Sequence, residues 1–294
     1  MSSVDGRVTA HDGLELAYRL YGRGSGRPLV LLHGGGANLV SMDQYAARLG
    51  AGRTVVSLDL RACGQSADPD RFCWADAVGD VESLVESLSL GSIDIVGHSL
   101  GGFVAGFYAT EHPDARVVSI DGFGPGMPTI GDDNDRAEFA AFQQGMRAAF
   151  WAMTEQPDEG DRTWRDAQVE ALVELFPRIG YTAPNAREMA ERNLVDLGDG
   201  RFRRHPSRVL FEGGFGDGGD RDILRMYRRV RCPTLIVRCT ESGAPPVLDA
   251  ELDMLQRRNT NVAVVKLPLT HLAPAWDAID EVANLARDFL ADPT

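Results

Sequence analysis

Short, nearly continuous apolar segments recur along the chain and alternate with segments of helical periodicity. Such segments are typical of parallel strands that are buried on both faces of a sheet. They cover residues 28–32, 54–58, 93–96, 117–120, 234–237 and 262–267. Near the N-terminus, two further apolar segments flank Asp12-Gly13, a pair that favours a tight hairpin turn. The pattern predicts an α/β fold, with helices on both faces of one sheet.

The stretch from residue 122 to residue 231 interrupts this alternation, because it contains no apolar segment of comparable strength. Helical periodicity fills it instead, over residues 136–153, 164–176 and 186–194. An insertion of this length between two strands is too long for a loop. We therefore expect a core of residues 1–121 and 232–294 and a helical cap of residues 122–231. Within the cap, the glycine-rich residues 213–219 are expected to form a flexible loop or hinge.

One predicted strand-to-helix junction reads Gly97-His98-Ser99-Leu100-Gly101. A serine with glycine two residues before it and two residues after it, in this context, is the pattern of a nucleophile elbow. The glycines meet a steric demand, since larger side chains would collide with the neighbouring strand or helix. The pattern predicts that Ser99 meets the substrate as a nucleophile. A glycine-rich turn with an incidental serine is the alternative interpretation.

A serine hydroxyl is a weak nucleophile near neutral pH and needs a histidine to accept its proton. The chain has six histidines. His271 lies in the loop between the last predicted strand and the final helix, and we expect it to be the general base. His98 adjoins the serine but is expected to point elsewhere along the turn.

The tetrahedral intermediate of acyl transfer also needs hydrogen-bond donors for its oxyanion. We expect these to be the backbone N–H groups of Leu100 and Gly35, the latter within His33-Gly34-Gly35-Gly36. Glycine permits the close backbone approach that this requires. A simple tight turn after a strand is the alternative.

Further candidates for substrate contact are Gly34 and His98 beside the elbow and Trp151 and Trp164 in the cap. Aromatic side chains of a cap more often form the core of the cap itself.

Together these segments resemble the α/β-hydrolase superfamily over nearly the whole chain. The matching features are residues 33–36, the Asp59-Leu60-Arg61 turn with Gly64 and Ser66, the elbow, the strand at 233–237, and His271. The resemblance implies a doubly wound, mostly parallel sheet of about eight strands with a cap. It also implies that no cofactor or metal is needed and that a triad follows the chain order serine, acid, histidine.

The chain departs from this family at the position where the acidic residue of the triad is usually found. After the strand at 233–237 the family usually carries glycine and, three residues later, the triad aspartate, but Cys239 and Ser242 stand at these positions. Glu241 is one candidate replacement. Asp121, after the strand at 117–120, is the other, and we favour it slightly. A weakened dyad without an acid is the third possibility.

Composition narrows the classes of partner. The 294 residues carry a net charge of −13, which disfavours binding to nucleic acid or to an anionic membrane surface. The four cysteines show no metal or redox spacing and are expected to be free thiols. No apolar segment approaches the ~20 residues of a membrane helix. The N-terminus lacks a basic segment followed by an apolar one, so we expect a cytoplasmic protein.

The leading functional hypothesis is a hydrolase of a carboxylic ester, thioester or lactone with a medium-sized, largely apolar substrate. The serine disfavours dehalogenase or epoxide-hydrolase chemistry, for which enzymes of the family use aspartate at the elbow. Acyl transfer or cyclisation, or carbon–carbon bond hydrolysis on the same site, are alternatives. A non-catalytic ligand-binding module is a further alternative, which the retained serine, histidine and glycine loop disfavour.

Overall fold

A computed structural model describes residues 2–123, 126–154, 158–179, 181, 184–214 and 224–291. The strands are β1 (Ser3–Thr9), β2 (Glu15–Tyr21), β3 (Gly26–Leu32), β4 (Arg53–Leu58), β5 (Asp94–His98), β6 (Arg116–Ile120), β7 (Glu159–Gly160), β8 (Leu194–Asp196), β9 (Phe202–Arg204), β10 (Thr234–Cys239) and β11 (Val262–Leu267). The helices are α1 (Asp43–Leu49), α2 (Trp74–Ser87), α3 (Leu100–Tyr108), α4 (Asp133–Thr154), α5 (Arg162–Arg178), α6 (Ala186–Arg192), α7 (Arg208–Gly214), α8 (Arg225–Arg229), α9 (Val247–Arg258) and α10 (Ile279–Ala291).

Eight strands form one sheet in the order β1-β2-β4-β3-β5-β6-β10-β11. β1, β2 and β4 pair in antiparallel fashion, whereas the other neighbours are parallel. The hairpin at Asp12-Gly13 and each of the predicted apolar strands are present in this sheet. The predicted fold class is therefore confirmed.

The two faces of the sheet are buried by different helices, as β3 illustrates. Val30 and Leu32 belong to an apolar cluster with Val81 of α2 and Val104 of α3. Their neighbours Leu29 and Leu31 point to the opposite face and pack in a second cluster, which includes Tyr45 of α1 and Val282 of α10. Burial on both faces explains why these strands are continuously apolar and do not alternate with polar residues.

The insertion, defined here as residues 122–231 between β6 and β10, contains α4 to α8. The three helices predicted in it correspond to α4, α5 and α6. It also contains a small antiparallel sheet in the order β7-β9-β8, which the sequence pattern did not predict. These strands have two or three residues each, too few to show an alternation of polar and apolar positions. Most of the predicted glycine-rich loop lies outside the described residues.

One buried side chain of the core, Glu251 in α9, holds the insertion near both of its ends. Its Oε1 accepts hydrogen bonds from the backbone N–H groups of Thr129 and Ile130, the latter at 2.8 Å. Its Oε2 lies 2.6 Å from Nη2 of Arg228 in α8. Because Glu251 is fully buried, these partners must replace the hydration that its carboxylate loses on folding.

We expect Glu251→Gln to lower the free energy of unfolding by about 2–3 kcal/mol, since the amide weakens several charge-assisted hydrogen bonds in a buried place. Urea denaturation measures the effect. Asp253→Asn in the same helix is the matched control, because Asp253 is half exposed in its ion pair with Lys266 and such pairs contribute at most about 1 kcal/mol. Equal losses in the two variants would contradict this description.

Candidate active site

Ser99 lies in a sharp turn between β5 and α3. Its backbone adopts φ +52°, a left-handed conformation that is strained for a residue with a side chain. A Cβ atom on Gly97 would lie 2.2 Å from the carbonyl oxygen of Gly101, and a Cβ on Gly101 would lie 2.4 Å from that of Leu32. Both glycines are therefore required by the close approach of β5, α3 and the end of β3.

The structure places His271 and Asp121 next to this serine. Nε2 of His271 is 2.9 Å from Oγ of Ser99, and Nδ1 is 2.7 Å from Oδ2 of Asp121. An ionised carboxylate only accepts hydrogen bonds, so Nδ1 carries the proton and donates to Asp121. Nε2 of the neutral ring is then the acceptor that faces the serine hydroxyl. This tautomer is the one that a general base for Ser99 requires.

Asp121 is buried and directly follows β6. Its second oxygen, Oδ1, accepts a hydrogen bond from the backbone N–H of Cys239 at 2.9 Å. Nη1 of the fully buried Arg238 lies 3.6 Å from the same oxygen. Asp121 also has φ +46°, so its backbone is held in a left-handed conformation at the point where its carboxylate meets His271.

Glu241, the other candidate acid, is exposed in the loop after β10. Its backbone N–H donates to the carbonyl of Leu269 at 3.0 Å, but no hydrogen bond or ion pair of the described residues joins its side chain to His271. Ser242, which stands where the family usually has aspartate, accepts a hydrogen bond from Arg238 at 2.6 Å. The structure brings Asp121, and not Glu241, to the histidine.

The loop after β3 passes directly beside the elbow. A Cβ atom on Gly34 would lie 3.3 Å from Cβ of Ser99, so the glycine lets the two backbones approach. His33 is buried and stabilises this loop: Nδ1–H donates to the carbonyl of Gly34 at 2.8 Å, and Nε2 accepts from the N–H of Leu60 at 3.0 Å. Burial lowers the pKa of His33, which keeps the ring neutral and Nε2 able to accept.

The two backbone groups expected to bind an oxyanion are the N–H of Leu100, at the start of α3, and that of Gly35. Within the described part of the chain, neither N–H donates to another protein group. Both are therefore free to bind a ligand atom, and the first also lies at the positive end of a helix.

Helix α6 of the insertion is hydrogen-bonded to the same loop. Asn38 donates through Nδ2 to the carbonyl of Met189 and to Oδ1 of Asn193, both at 2.8 Å. Asn193 in turn donates to the carbonyl of Gly36 at 3.3 Å. These buried amides were not singled out from the sequence, because their partners are more than 150 residues away.

Asp59, at the end of β4, connects the loop and the insertion through one carboxylate. Oδ1 accepts from the backbone N–H of Leu39 at 2.8 Å, and Oδ2 accepts from Nε of Arg192 at 2.8 Å. Asp59 is fully buried. In the sequence, Asp59 stands out only by its place in the Asp59-Leu60-Arg61 turn. This turn does not indicate that Arg192 is its partner.

His98 is buried with its ring beside that of His271, their centroids 5.1 Å apart. Its Nε2 lies 2.9 Å from the backbone carbonyl oxygen of His271. Burial, and secondarily the neighbouring His271, lower the pKa of His98 to about 4. The ring is therefore neutral near pH 7, and Nε2 carries the hydrogen because a carbonyl oxygen can only accept. This polar atom is occupied by the protein and is not turned toward a substrate.

The two candidate tryptophans belong to helices of the insertion. Trp164, at the start of α5, covers Gly160 and packs near Leu39 and Val40. Trp151 is 38% exposed, with the guanidinium of Arg208 5.0 Å above its ring. The contacts described for these two rings do not include Ser99 or His271.

Among the described residues, the side chains of His11, Asp12 and Asp80 have the chemistry of metal ligands and lie close together. Arg61 donates to both oxygens of Asp80 and to Asp12. Since the guanidinium already occupies both oxygens of Asp80 and one oxygen of Asp12, we assign these carboxylates no metal-binding role.

An open, mostly parallel sheet with a serine at a strand-to-helix turn and a histidine in the last loop defines the class of α/β hydrolases. The alpha/beta hydrolase family matches residues 29–285, and the chain belongs to this family. It is an enzyme of the hydrolase type. No helix of the described residues is long and apolar enough to cross a membrane.

Three similar proteins illustrate the range of this family. The soluble epoxide hydrolase of Corynebacterium sp. (strain C12) is 33% identical over 42% of this chain, a match that spans only 45% of that protein. The sn-1-specific diacylglycerol lipase of Xenopus laevis is 29% identical over 72% of each chain. The crystal structure of E-2-(acetamidomethylene)succinate hydrolase covers 99% of this chain and 100% of its own, with a TM-score of 0.75 and 24% identity, a likeness of fold.

Stability at acidic pH tests the description of His98. Its folded pKa of about 4 lies below the ordinary value of 6.5, so the unfolded chain binds the extra proton first as the pH falls. Its contribution to stability is present above pH 6.5 and is lost between pH 6.5 and 4. Glutamine does not titrate. Between pH 7 and pH 4.5 we expect wild-type protein to lose roughly 2–3 kcal/mol more than His98→Gln in urea denaturation. A difference that stays constant with pH would contradict the lowered pKa.

Proposed function

We propose that the protein is a serine hydrolase that cleaves a carboxylic ester, thioester or lactone through an acyl-enzyme on Ser99. The observation that carries the proposal is the continuous hydrogen-bonded series Ser99–His271–Asp121, with the serine at a strained elbow. Such a series turns a weak nucleophile into an effective one, because the proton has an acceptor and the acceptor has a fixed orientation.

In this mechanism Oγ of Ser99 attacks the carbonyl carbon while its proton passes to Nε2 of His271. The Asp121 carboxylate stabilises the imidazolium that forms. The N–H groups of Leu100 and Gly35 bind the oxyanion. When the intermediate collapses, the leaving group takes the proton from His271. A water molecule, activated by the same imidazole, then attacks the acyl-enzyme. The carboxylic acid product leaves, and Ser99 is regenerated.

The proposal includes a largely apolar, medium-sized acyl group, and apolar side chains adjoin both the nucleophile and the acid along the chain. Leu100 follows the nucleophile and Phe123 lies two residues after the acid, and both belong to an apolar cluster. The cluster continues into the insertion through Phe139 and Leu210, with the partly buried Phe142 packed against it. An apolar substrate gains most from such a place because it leaves no buried polar group without a partner.

Among the relatives, the diacylglycerol lipase supports ester chemistry by its name, whereas the soluble epoxide hydrolase points to another reaction. The chain carries serine, not a carboxylate, at the elbow. A serine forms an acyl-enzyme but cannot form the alkyl ester on which epoxide hydrolases of this fold rely. Acyl chemistry on a small-molecule substrate is therefore favoured.

A fluorophosphonate probe, which reacts with activated serines, tests the nucleophile. We expect wild-type protein to be labelled, and Ser99→Ala to abolish labelling and to lower aryl ester hydrolysis by at least ~1000-fold. Ser87→Ala, at an exposed serine that ends α2, is the matched control and keeps both activities. A folded wild-type protein that stays unlabelled and cleaves no ester of a graded chain-length panel would overturn the proposal.

A second pair of variants tests the acid. We expect Asp121→Asn to lower kcat/KM for the same esters by about 10³- to 10⁴-fold, because the amide no longer holds the imidazole in the required tautomer. Glu241→Gln should change kcat/KM by less than about 3-fold, since an exposed side chain with no described hydrogen bond to the imidazole contributes little. The opposite ranking, or small equal effects, would exclude Asp121 as the acid.

A further inference from the structure

We propose that His98 is a positioning residue, whose Nε2–H holds the backbone carbonyl of His271 and so keeps the imidazole of His271 between Ser99 and Asp121. This inference rests on the proposed function, because it assigns a role in the same reaction. It also gives His98 a different role from the substrate contact expected from its place beside the elbow.

The donor is held rigidly. His98 is the last residue of β5 and pairs with Ile120 of β6 in the parallel register. The residue is 6% exposed, and a Cβ atom on Gly34 would lie only 3.0 Å from its Nδ1. The ring therefore fills the space between the loop after β3 and the loop that carries His271. A side chain enclosed in this way cannot rotate to another partner without moving the backbone.

The bond from His98 lies between two other anchors of the loop that carries His271. β11 ends at Leu267, and the backbone beyond it is held at Leu269, whose carbonyl accepts from Glu241 N–H at 3.0 Å. It is held again at Pro274, whose carbonyl accepts from the hydroxyl of Tyr45 at 2.8 Å. Between these two points the loop also bonds to itself, from the N–H of Ala273 to the carbonyl of Thr270 at 3.3 Å, whereas the bond from His98 to the carbonyl of His271 ties it to the end of β5. It fixes the backbone of the residue whose ring must reach both Ser99 and Asp121.

The neutrality of His98 suits this role. When His271 takes the serine proton, its ring becomes positively charged while the His98 ring is 5.1 Å away. A second positive charge at that distance, in a buried place, would disfavour the imidazolium. The lowered pKa of His98 keeps it uncharged at neutral pH, so it supplies a hydrogen bond without opposing the charge that forms during the reaction.

Glutamine and asparagine separate the donor from the ring. The amide nitrogen of glutamine is the same number of bonds from Cα as Nε2 of histidine, so His98→Gln retains a donor at the right distance. The amide of asparagine is one bond shorter, and leucine has no donor. We expect kcat on the best aryl ester to fall by about 10- to 100-fold in His98→Asn and His98→Leu, with KM changed by less than about 3-fold. His98→Gln should restore kcat to within about 5-fold of wild type.

A spectroscopic readout tests the positioning independently of turnover. The proton that His271 Nδ1 donates to Asp121 is expected to give a downfield NMR resonance in wild type and in His98→Gln, and to lose it through exchange in His98→Asn and His98→Leu. His112→Asn is the control: this histidine contacts Glu82 on the surface of the core, and both readouts should match wild type.

Two results would overturn the inference: wild-type kcat and resonance in His98→Asn and His98→Leu, or equal losses in His98→Gln and His98→Asn. A wild-type protein that no fluorophosphonate labels would instead refute the proposed function, and the resonance would still decide whether His98 positions His271. If His98→Asn fails to fold, His98→Gln and His98→Leu still compare a side chain that retains the donor with one that lacks it.

Discussion

The close approach of three backbone segments at Ser99 is the constraint on which the rest of the site depends. The end of β3, the end of β5 and the start of α3 meet where a Cβ on Gly97 or Gly101 would overlap backbone atoms. Side chains from separate elements can then converge on one hydroxyl, because Ser99, Asp121 and His271 all follow the carboxyl ends of parallel strands. The cost is a strained serine, which the surrounding parallel strands hold in place through the hydrogen bond from its N–H to the carbonyl of Ile120.

The insertion is attached to the same region from several directions, by different kinds of interaction. Asn38 and Asn193 pair as buried amides, Asp59 pairs with Arg192 as ions, and Glu251 binds both ends of the insertion. Apolar contacts add to these, since Leu39 and Val40 pack in one cluster with side chains of α5 and α6. The loop that contains Gly35 is thus supported by the insertion as well as by the sheet. In the proposed mechanism, the geometry of the oxyanion donors depends on how the insertion is seated.

The sheet could be predicted because its signal is local. Strands buried on both faces, such as residues 28–32, are apolar throughout, and the elbow needs glycines at fixed spacing. His271 could be proposed from its place after the last strand once the elbow had indicated a nucleophilic serine. The acid could not be settled in this way, since Asp121 and Glu241 both stand near strand ends and only the spatial arrangement distinguishes them. The hydrogen bond from His98 and the amide pair of Asn38 were beyond reach, because each depends on a partner distant in sequence. β7 to β9 could not be predicted because strands of two or three residues are too short to show an alternation of polar and apolar positions.

The position of Asp121 has a consequence for how this chain can diverge. Because the carboxylate hydrogen-bonded to His271 follows β6, the proposed mechanism draws only a backbone N–H, that of Cys239, from the loop after β10. An amide N–H is present whichever amino acid occupies that position, apart from proline. In the proposed mechanism the side chain of Glu241 can therefore vary where the same change would inactivate a relative with its acid in that loop, provided that the backbone N–H of this residue still binds the carbonyl of Leu269. The side chain at position 241 is therefore less constrained here than the residue of a relative that supplies its acid from the loop after β10.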